Sequence, residues 1–381
     1  MGDEIIENGF VEIEDGVIKA VGEANQLGST EAEVIDCAGK SIMPGMMDSH
    51  AHLGWDGIHP LARQGIDDTP EISAYKVAAN MLKNLLAGVT LVRDLGMNDT
   101  NLVAKQAVEQ GIFPGPRLLA CGRAIVQTGG HTYWCCREAS GPDEMRRAVR
   151  EQVRGGADLI KIMGSHDRIE FTDSELEAVI DEAHRNGLPI TAHATFNDVI
   201  HRVAQFGVDC IEHGGSMSDE TIQLLLDRKL PIVTTFAPLV MQAQEEIARQ
   251  YGMPEWLIQS RIKTMQNPTR FNDIVTAAKA GVPIVFGTDK GSPVVGHEVV
   301  AAEMKYMVEL GVVTDHYAAL RSATSVSATA HNLADKLGTL EPGKDADLLV
   351  IDGNPVEDLD TLERIEMTII AGKRMIMVGQ Q

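Results

Sequence analysis

The sequence predicts an α/β protein built on a closed (β/α)8 TIM barrel, with a small β-sandwich domain contributed by both chain termini. Three observations lead there. Eight short, β-branched apolar runs recur along the chain, each followed by a Gly-rich or polar turn and then a helical pattern. Helix start and stop signals fall between the runs. Strand-like segments at the two ends have no such helices between them. Alternating strands and helices imply a parallel sheet, and eight repeats close most economically as a barrel; an open doubly wound sheet is the other arrangement.

The runs cover 42–49, 88–95, 116–124, 157–163, 188–194, 208–214, 230–236 and 282–289. Thr172 with Glu175 three residues later reads as a capping box, and Pro142 ahead of Asp143-Glu144 suits a first helical turn. Gly88, Gly187, Gly207 and Gly281 stand where a helix ends and a strand begins. Outside the repeats, the stretch from Phe10 to Gly22 reads as a hairpin through Asp15-Gly16, and 346–351 and 367–376 are strand-like. The expected division is a β-sandwich of residues 1–41 plus 341–381 beside a barrel of 42–340.

Composition narrows the partners. The 381 residues are 44% hydrophobic and 23% charged, ordinary globular values. Lys plus Arg number 33 against 55 Asp plus Glu, a net charge of −22 that repels nucleic acid and anionic membranes. No run of apolar residues is long enough to span a bilayer, and the acidic start Met1-Gly2-Asp3-Glu4-Ile5 does not read as a secretory signal. Cys37, Cys121, Cys135, Cys136 and Cys210 are an odd, scattered set that makes neither a disulfide framework nor a zinc ribbon. A cytoplasmic location, a small-molecule substrate and compatibility with a homo-oligomer are expected.

In a barrel of this kind the chemistry sits at the C-terminal ends of the strands. The first run ends in His50 and His52, two apart and so on one face of a strand. The fourth holds Lys161, the fifth ends in His193, the sixth in His213 and the eighth in Asp289. Histidine and carboxylate are ordinary ligands for zinc and related divalent ions. Alone, each has a blander reading: a hydrogen-bonded core histidine, a helix-capping aspartate, a buried lysine paired to an acid. Together they recur at one structural level, which favours a metal site. His131, after Thr128-Gly129-Gly130, falls at the mouth and is a candidate substrate contact, as is His166 just past Lys161. His184, His201, His316 and His331 fall in helical patterns, and His59 and His297 in loops.

These residues together resemble the amidohydrolase superfamily. The resemblance rests on Pro44 to His52, Leu159-Ile160-Lys161-Ile162, Thr191-Ala192-His193, Ile211-Glu212-His213-Gly214, Phe286-Gly287-Thr288-Asp289 and the tail from Leu337 to Leu348, and it covers nearly the whole chain. Arg93-Asp94-Leu95-Gly96 and Gly129-Gly130-His131 point to the branch with Xaa-Pro dipeptidases and imidazolonepropionase-like members.

The resemblance implies a two-metal centre, zinc being the expected ion. His50, His52 and Asp289 would hold one ion, and His193 and His213 the other. Lys161, carboxylated on its amine, would bridge them. The implied activity is hydrolysis of an amide-type bond by a metal-activated water, with Asp289 as base and then acid and His131 beside the carbonyl. A dipeptide or N-acyl amino acid is the expected substrate; a cyclic amide, lactone, carbamate or arylamide is the alternative. A non-catalytic scaffold is disfavoured because every ligand position is filled. The sequence departs from the pattern in three places. It starts late, where relatives usually carry another strand ahead of Glu4-Ile5-Ile6, through either a smaller β domain or a truncated start; it is compact after Lys161; and it has no tyrosine in Val233-Thr234-Thr235-Phe236.

Overall fold

The structure, a computed structural model, describes residues 2, 4–28, 31–165, 168–267 and 269–377. The chain opens on an antiparallel hairpin of β1 (Gly9–Glu14) and β2 (Val17–Glu23). Its turn takes positive φ at Asp15 (51°) and Gly16 (83°), the geometry that matches the right-handed twist of the flanking strands. Next come β3 (Lys40–Pro44) and β4 (Met46–Ala51), separated by Gly45.

That separation corrects the first expected run. Residues 42–49 are two strands in two sheets, because β3 pairs antiparallel with β14 (introduced below) while β4 pairs parallel with β5 (Val89–Asp94). The parallel pairing therefore begins after Gly45. A side chain on Gly45 would run into the buried Thr90, so the chain crosses between sheets at the residue that has none.

After β5 follow β6 (Arg117–Ala120), β7 (Ile125–Gln127), β8 (Arg137–Ala139), β9 (Ile160–Met163), β10 (Ile190–Ala194), β11 (Cys210–His213), β12 (Ile232–Thr234) and β13 (Ile284–Phe286). The run expected at 116–124 is interrupted between β6 and β7, where Gly122 has φ 71°. Two parallel sheets result, β4-β5-β6 and β13-β12-β11-β10-β9-β7-β8. They touch in two places. Asp289 N donates to His50 O at 2.8 Å beyond β13, and Asp158 N donates to Ala120 O at 2.9 Å between β6 and β9.

Helices cover the outside of these strands, which explains why β4 and β5 are buried along their whole length. The helix Asp173–Arg185 is representative: Leu176, Val179, Ile180 and Ala183 recur at helical spacing and are buried. Its capping box is present, with Thr172 N donating to Glu175 Oε2 at 2.8 Å and Glu175 N to Thr172 Oγ1 at 3.4 Å.

The C-terminal strands are β14 (Leu348–Asp352), β15 (Ile365–Ile370) and β16 (Lys373–Met377). With β3 they form an antiparallel sheet in the order β16-β15-β14-β3. The expected strand at 367–376 is thus two, joined at Ala371-Gly372, both at positive φ. The N-terminal hairpin reaches this tail through Ile18 N to Lys344 O and Ala346 N to Gly16 O. Leu348, Val350, Met367 and Ile369 form an apolar cluster with Val11, Ile13 and Ile42, so the two termini share one small core. No helix among the described residues is long and apolar enough to cross a membrane.

Candidate metal centre

The site lies where β4, β9, β10, β11 and β13 end. His50 Nε2 and His52 Nε2 stand 3.5 and 3.2 Å from Asp289 Oδ1. Each of the three residues offers one ligand atom, all within 4.8 Å of one another. The His213 ring is 4.7 Å from the His50 ring, the His193 ring 4.5 Å from that of His213, and the His131 ring 4.6 Å from that of His193. Lys161, 2% exposed, points from β9 into the same interior, where its charge acts on His50, His193, His213 and Asp289. His166 lies outside the described residues.

The outer nitrogens are already committed. His50 Nδ1 donates to Glu212 Oε2 at 2.7 Å, and His52 Nδ1 donates to Gly96 O at 2.6 Å. Because carbonyl and carboxylate oxygens only accept, these bonds put the neutral ring's proton on Nδ1 and leave the Nε2 lone pair facing Asp289. His213 Nδ1 likewise lies 2.7 Å from Thr235 Oγ1. Two nitrogen lone pairs facing a carboxylate oxygen repel unless a proton or a cation stands between them. The donor set fits a divalent cation of the zinc type.

Electrostatics agree with that fit. Burial opposes a charge on Asp289, yet His50, His52 and Lys161 hold it below the usual carboxylate range. Burial also opposes a charge on His52, but the hydrogen bond and charge of Asp289 prevail and raise it. Burial, reinforced by neighbouring positive groups, takes His193 and His213 well below the usual imidazole range. Burial lowers Lys161 too, partly opposed by Glu212. At His193, His213 and Lys161 these shifts favour the neutral forms that coordinate metal or react with carbon dioxide, whereas His52 shares its proton with Asp289.

Sequence reasoning missed the support beneath this layer. Glu212, with no exposure at all, also accepts from Arg93 Nη1 at 2.8 Å and from the Thr191 hydroxyl. Arg93 Nη1 further donates to Ser49 O at 3.0 Å, so one buried ion pair braces three strands. Arg93, Lys161 and His50 overcome burial and hold Glu212 well below the carboxylate range. Strict strand alternation would send Glu212 and His213 to opposite faces. His213 has φ 70° and Asp289 φ 52°, and this left-handed backbone turns both ends inward. Such conformations store of order 1–3 kcal/mol and cluster at functional sites.

Other positions fall nearby. Trp55 tilts against His52 at 4.3 Å between centroids, and Trp134 lies 6.2 Å from Trp55. His131 N donates to Glu170 Oε1 at 2.7 Å, which holds the segment after β7 close to β9. Asp48 accepts from Thr288 N and Oγ1 and stands 2.8 Å from Lys290 Nζ, although that ammonium points off the line of a hydrogen bond. His297 is fully buried against Trp55, while His184 and His59 lie at the surface beside Asp209 and Asp56.

The geometry has a counterpart among known proteins. The amidohydrolase family model matches residues 41–375. The chain belongs to the amidohydrolase family. Members of this family usually bind metal, and the enzymes among its relatives mark this chain as a hydrolase. Among solved structures, an amidohydrolase superposes with a TM-score of 0.87 at 32% identity, covering 97% of this chain and 95% of that one. A Xaa-Pro dipeptidase with bound methionine in its active site superposes with a TM-score of 0.86 at 29% identity, covering 96% and 94%. Ochratoxinase from Aspergillus niger is 27% identical, over 84% of this chain and 72% of its own.

Proposed function

We propose that this protein is a two-metal hydrolase that cleaves the amide bond of a dipeptide or N-acyl amino acid. The observation that carries the reading is the convergence of ligand atoms of His50, His52 and Asp289 within 4.8 Å, with the His213 and His193 rings beside them. The two parallel sheets, in contact beyond β13 and ahead of β9, are taken as one closed (β/α)8 barrel. The terminal sheets are taken as a separate β-sandwich.

His50, His52 and Asp289 would hold one ion and His193 and His213 the second, zinc in each case. The neutral amine of Lys161 attacks carbon dioxide. One N–C bond would form as one C=O π bond of carbon dioxide opens, the amine proton would pass to water, and the resulting anionic two-oxygen group would help hold both ions. When bound, the ions supply Lewis acidity that brings the pKa of water from 15.7 toward roughly 7.

The protein's own groups then orient and move protons. Asp289 accepts the proton of the attacking water and delivers it to the departing nitrogen, acting as base and then acid. His131, next to His193, orients the carbonyl oxygen of the scissile bond. Glu212 keeps His50 in the tautomer that presents Nε2 inward, and Thr235 holds the orientation of the His213 ring. Similarity to a structure described as a Xaa-Pro dipeptidase supports the peptide end of this substrate range.

One observation favours a second reading. Trp55 and Trp134 form an aromatic wall beside His52, which suits an arylamide. Hydrolysis of L-dipeptides, N-acyl amino acids and N-acyl anilides by protein supplied with zinc and bicarbonate tests both. Turnover of the first two classes supports the proposal; turnover confined to anilides selects the second reading.

A further inference from the structure

Two arginines near the centre form no ion pair with an acid among the described residues. Arg261 lies on the helix Glu255–Gln266 and Arg270 on the helix Thr269–Ala280. Arg261 Nε donates to the amide oxygen of Gln242 at 3.0 Å. Arg270 Nη2 donates to Gly214 O, the carbonyl next to His213, at 3.1 Å. Arg270 Nε is enclosed and has no hydrogen-bond partner. Neither guanidinium makes an ion pair with an aspartate or glutamate among the described residues, although both side chains keep part of their surface open.

This is unexpected in a chain with 55 acidic residues to 33 basic ones. The other deeply buried arginine, Arg93, has Glu212. Burial takes Arg270 down to about 10, and the charge of Arg261 pushes it the same way, so the two cations stand close enough to repel. Arg270 also lowers His213, and Asp289 partly offsets burial at Arg261. Geometry ties each to one end of the centre: Arg270 bonds the carbonyl next to His213, and Gln242, which holds Arg261, donates to Ser292 Oγ at 3.4 Å, the hydroxyl that donates to Asp289 O at 3.2 Å. Holding two uncompensated guanidiniums there costs stability unless an anion arrives to satisfy them. Their planar donor forks match a carboxylate better than any neutral group.

We propose that Arg261 and Arg270 together receive the free carboxylate of the substrate, placing its amide carbonyl over the metal centre. The inference rests on the amide-hydrolase reading above and narrows it. The scissile bond would be the acyl–nitrogen bond of an amino acid whose own carboxylate is unblocked, and amidated or esterified analogues would be poor ligands. The open side of Arg270 would present its remaining Nη donors to that carboxylate. Gln242 holds Arg261 in register.

The test is calorimetric binding of N-acetyl-L-methionine and of N-acetyl-L-methioninamide to the full chain without added metal. Wild type is expected to bind the carboxylate about 10- to 100-fold more tightly than the amide, the range of a charged hydrogen-bonded contact. Arg270→Met should bring that ratio close to one, Arg261→Met should reduce it, and Arg270→Lys should keep an intermediate value. Circular dichroism checks the fold of each, and if Arg270→Met does not fold, Arg261→Met and Arg270→Lys decide. Equal binding of the two ligands by wild type, no carboxylate binding at millimolar concentration, or a ratio preserved in the variants overturns the proposal. Hydrolysis is followed separately. A wild type that discriminates in binding yet cleaves no amide refutes the amide-hydrolase reading and leaves the carboxylate receptor standing.

Discussion

His50 and Asp289 are joined twice. The Asp289 backbone N–H donates to His50 O at 2.8 Å, and Asp289 Oδ1 lies 3.5 Å from His50 Nε2. One contact carries the edge of the first parallel strand onto the edge of the last. The other brings two ligand-type atoms face to face. Joining the sheet edges and assembling the candidate centre are thus one event, and its quality depends on the left-handed φ of 52° at Asp289.

Replacing Asp289 with Asn keeps size and backbone but removes the proton acceptor. Turnover should fall about 10²- to 10⁴-fold, the usual contribution of general acid–base catalysis, while much of the metal content remains. Steady-state kinetics with elemental analysis of the same preparation measures both. An Asn variant of near-normal activity excludes the role.

Replacing Lys161 with Met conserves the packing of a side chain that is 2% exposed but cannot react with carbon dioxide. Metal content is expected to fall below two equivalents, and added bicarbonate should not restore it. Wild type depleted of carbon dioxide should regain metal when bicarbonate returns. A Met variant that still holds two ions argues against the bridge.

Glu212→Gln breaks the buried pair with Arg93, at 2.8 Å, and weakens the bond to His50 Nδ1, at 2.7 Å. Leaving one partner of a buried pair uncompensated costs about 3–5 kcal/mol. The melting temperature of the metal-free protein should drop by several degrees, a loss that a surface substitution such as Glu31→Gln does not produce. An unchanged melting temperature means the pair is not load-sharing in the fold.

His297 should make stability depend on pH. Its Nε2–H donates to Trp55 O at 2.8 Å and its Nδ1 lies 3.3 Å from Asn84 Nδ2, so the neutral ring uses both nitrogens. Burial, with Lys290 acting the same way, brings it down to about 3. With the folded value below the usual 6.5, the unfolded chain takes the proton first as pH falls. The stabilisation is complete above pH 6.5 and is lost as pH drops toward 3, by about 1.4 kcal/mol per unit for one proton. His331, also brought to about 3 by burial, adds to the slope. Urea unfolding of metal-free protein between pH 4 and 7 should give a shallower slope in His297→Gln than in wild type, and identical slopes would place the dependence elsewhere.

The strands that carry the site were legible because strand-end chemistry is local. An apolar run ending in His50-Ala51-His52, Ala192-His193 or Thr288-Asp289 announces both the strand and the level at which its last side chains stand. The hairpin at Asp15-Gly16 and the capping box at Thr172 were legible for the same reason: a few neighbouring residues decide them. The break at Gly45 was not. The apolar pattern runs unbroken from Ile42 to Met47, and only the partners of the two halves, β14 and β5, tell them apart.

By itself, then, the sequence determined the succession of strands and helices and the ligand-type residues at their ends, since periodicity and end chemistry act over a few residues. The tertiary structure alone decided how those ends are served. Glu212 meets His50 from 162 residues away and Arg93 from 119, and its role follows from a shared interior that no local pattern describes. The left-handed turns at His213 and Asp289, and the charges of Arg261 and Arg270, unpaired by any acid among the described residues, belong to the same category. A charge is known to lack a partner only when everything packed around it is in place.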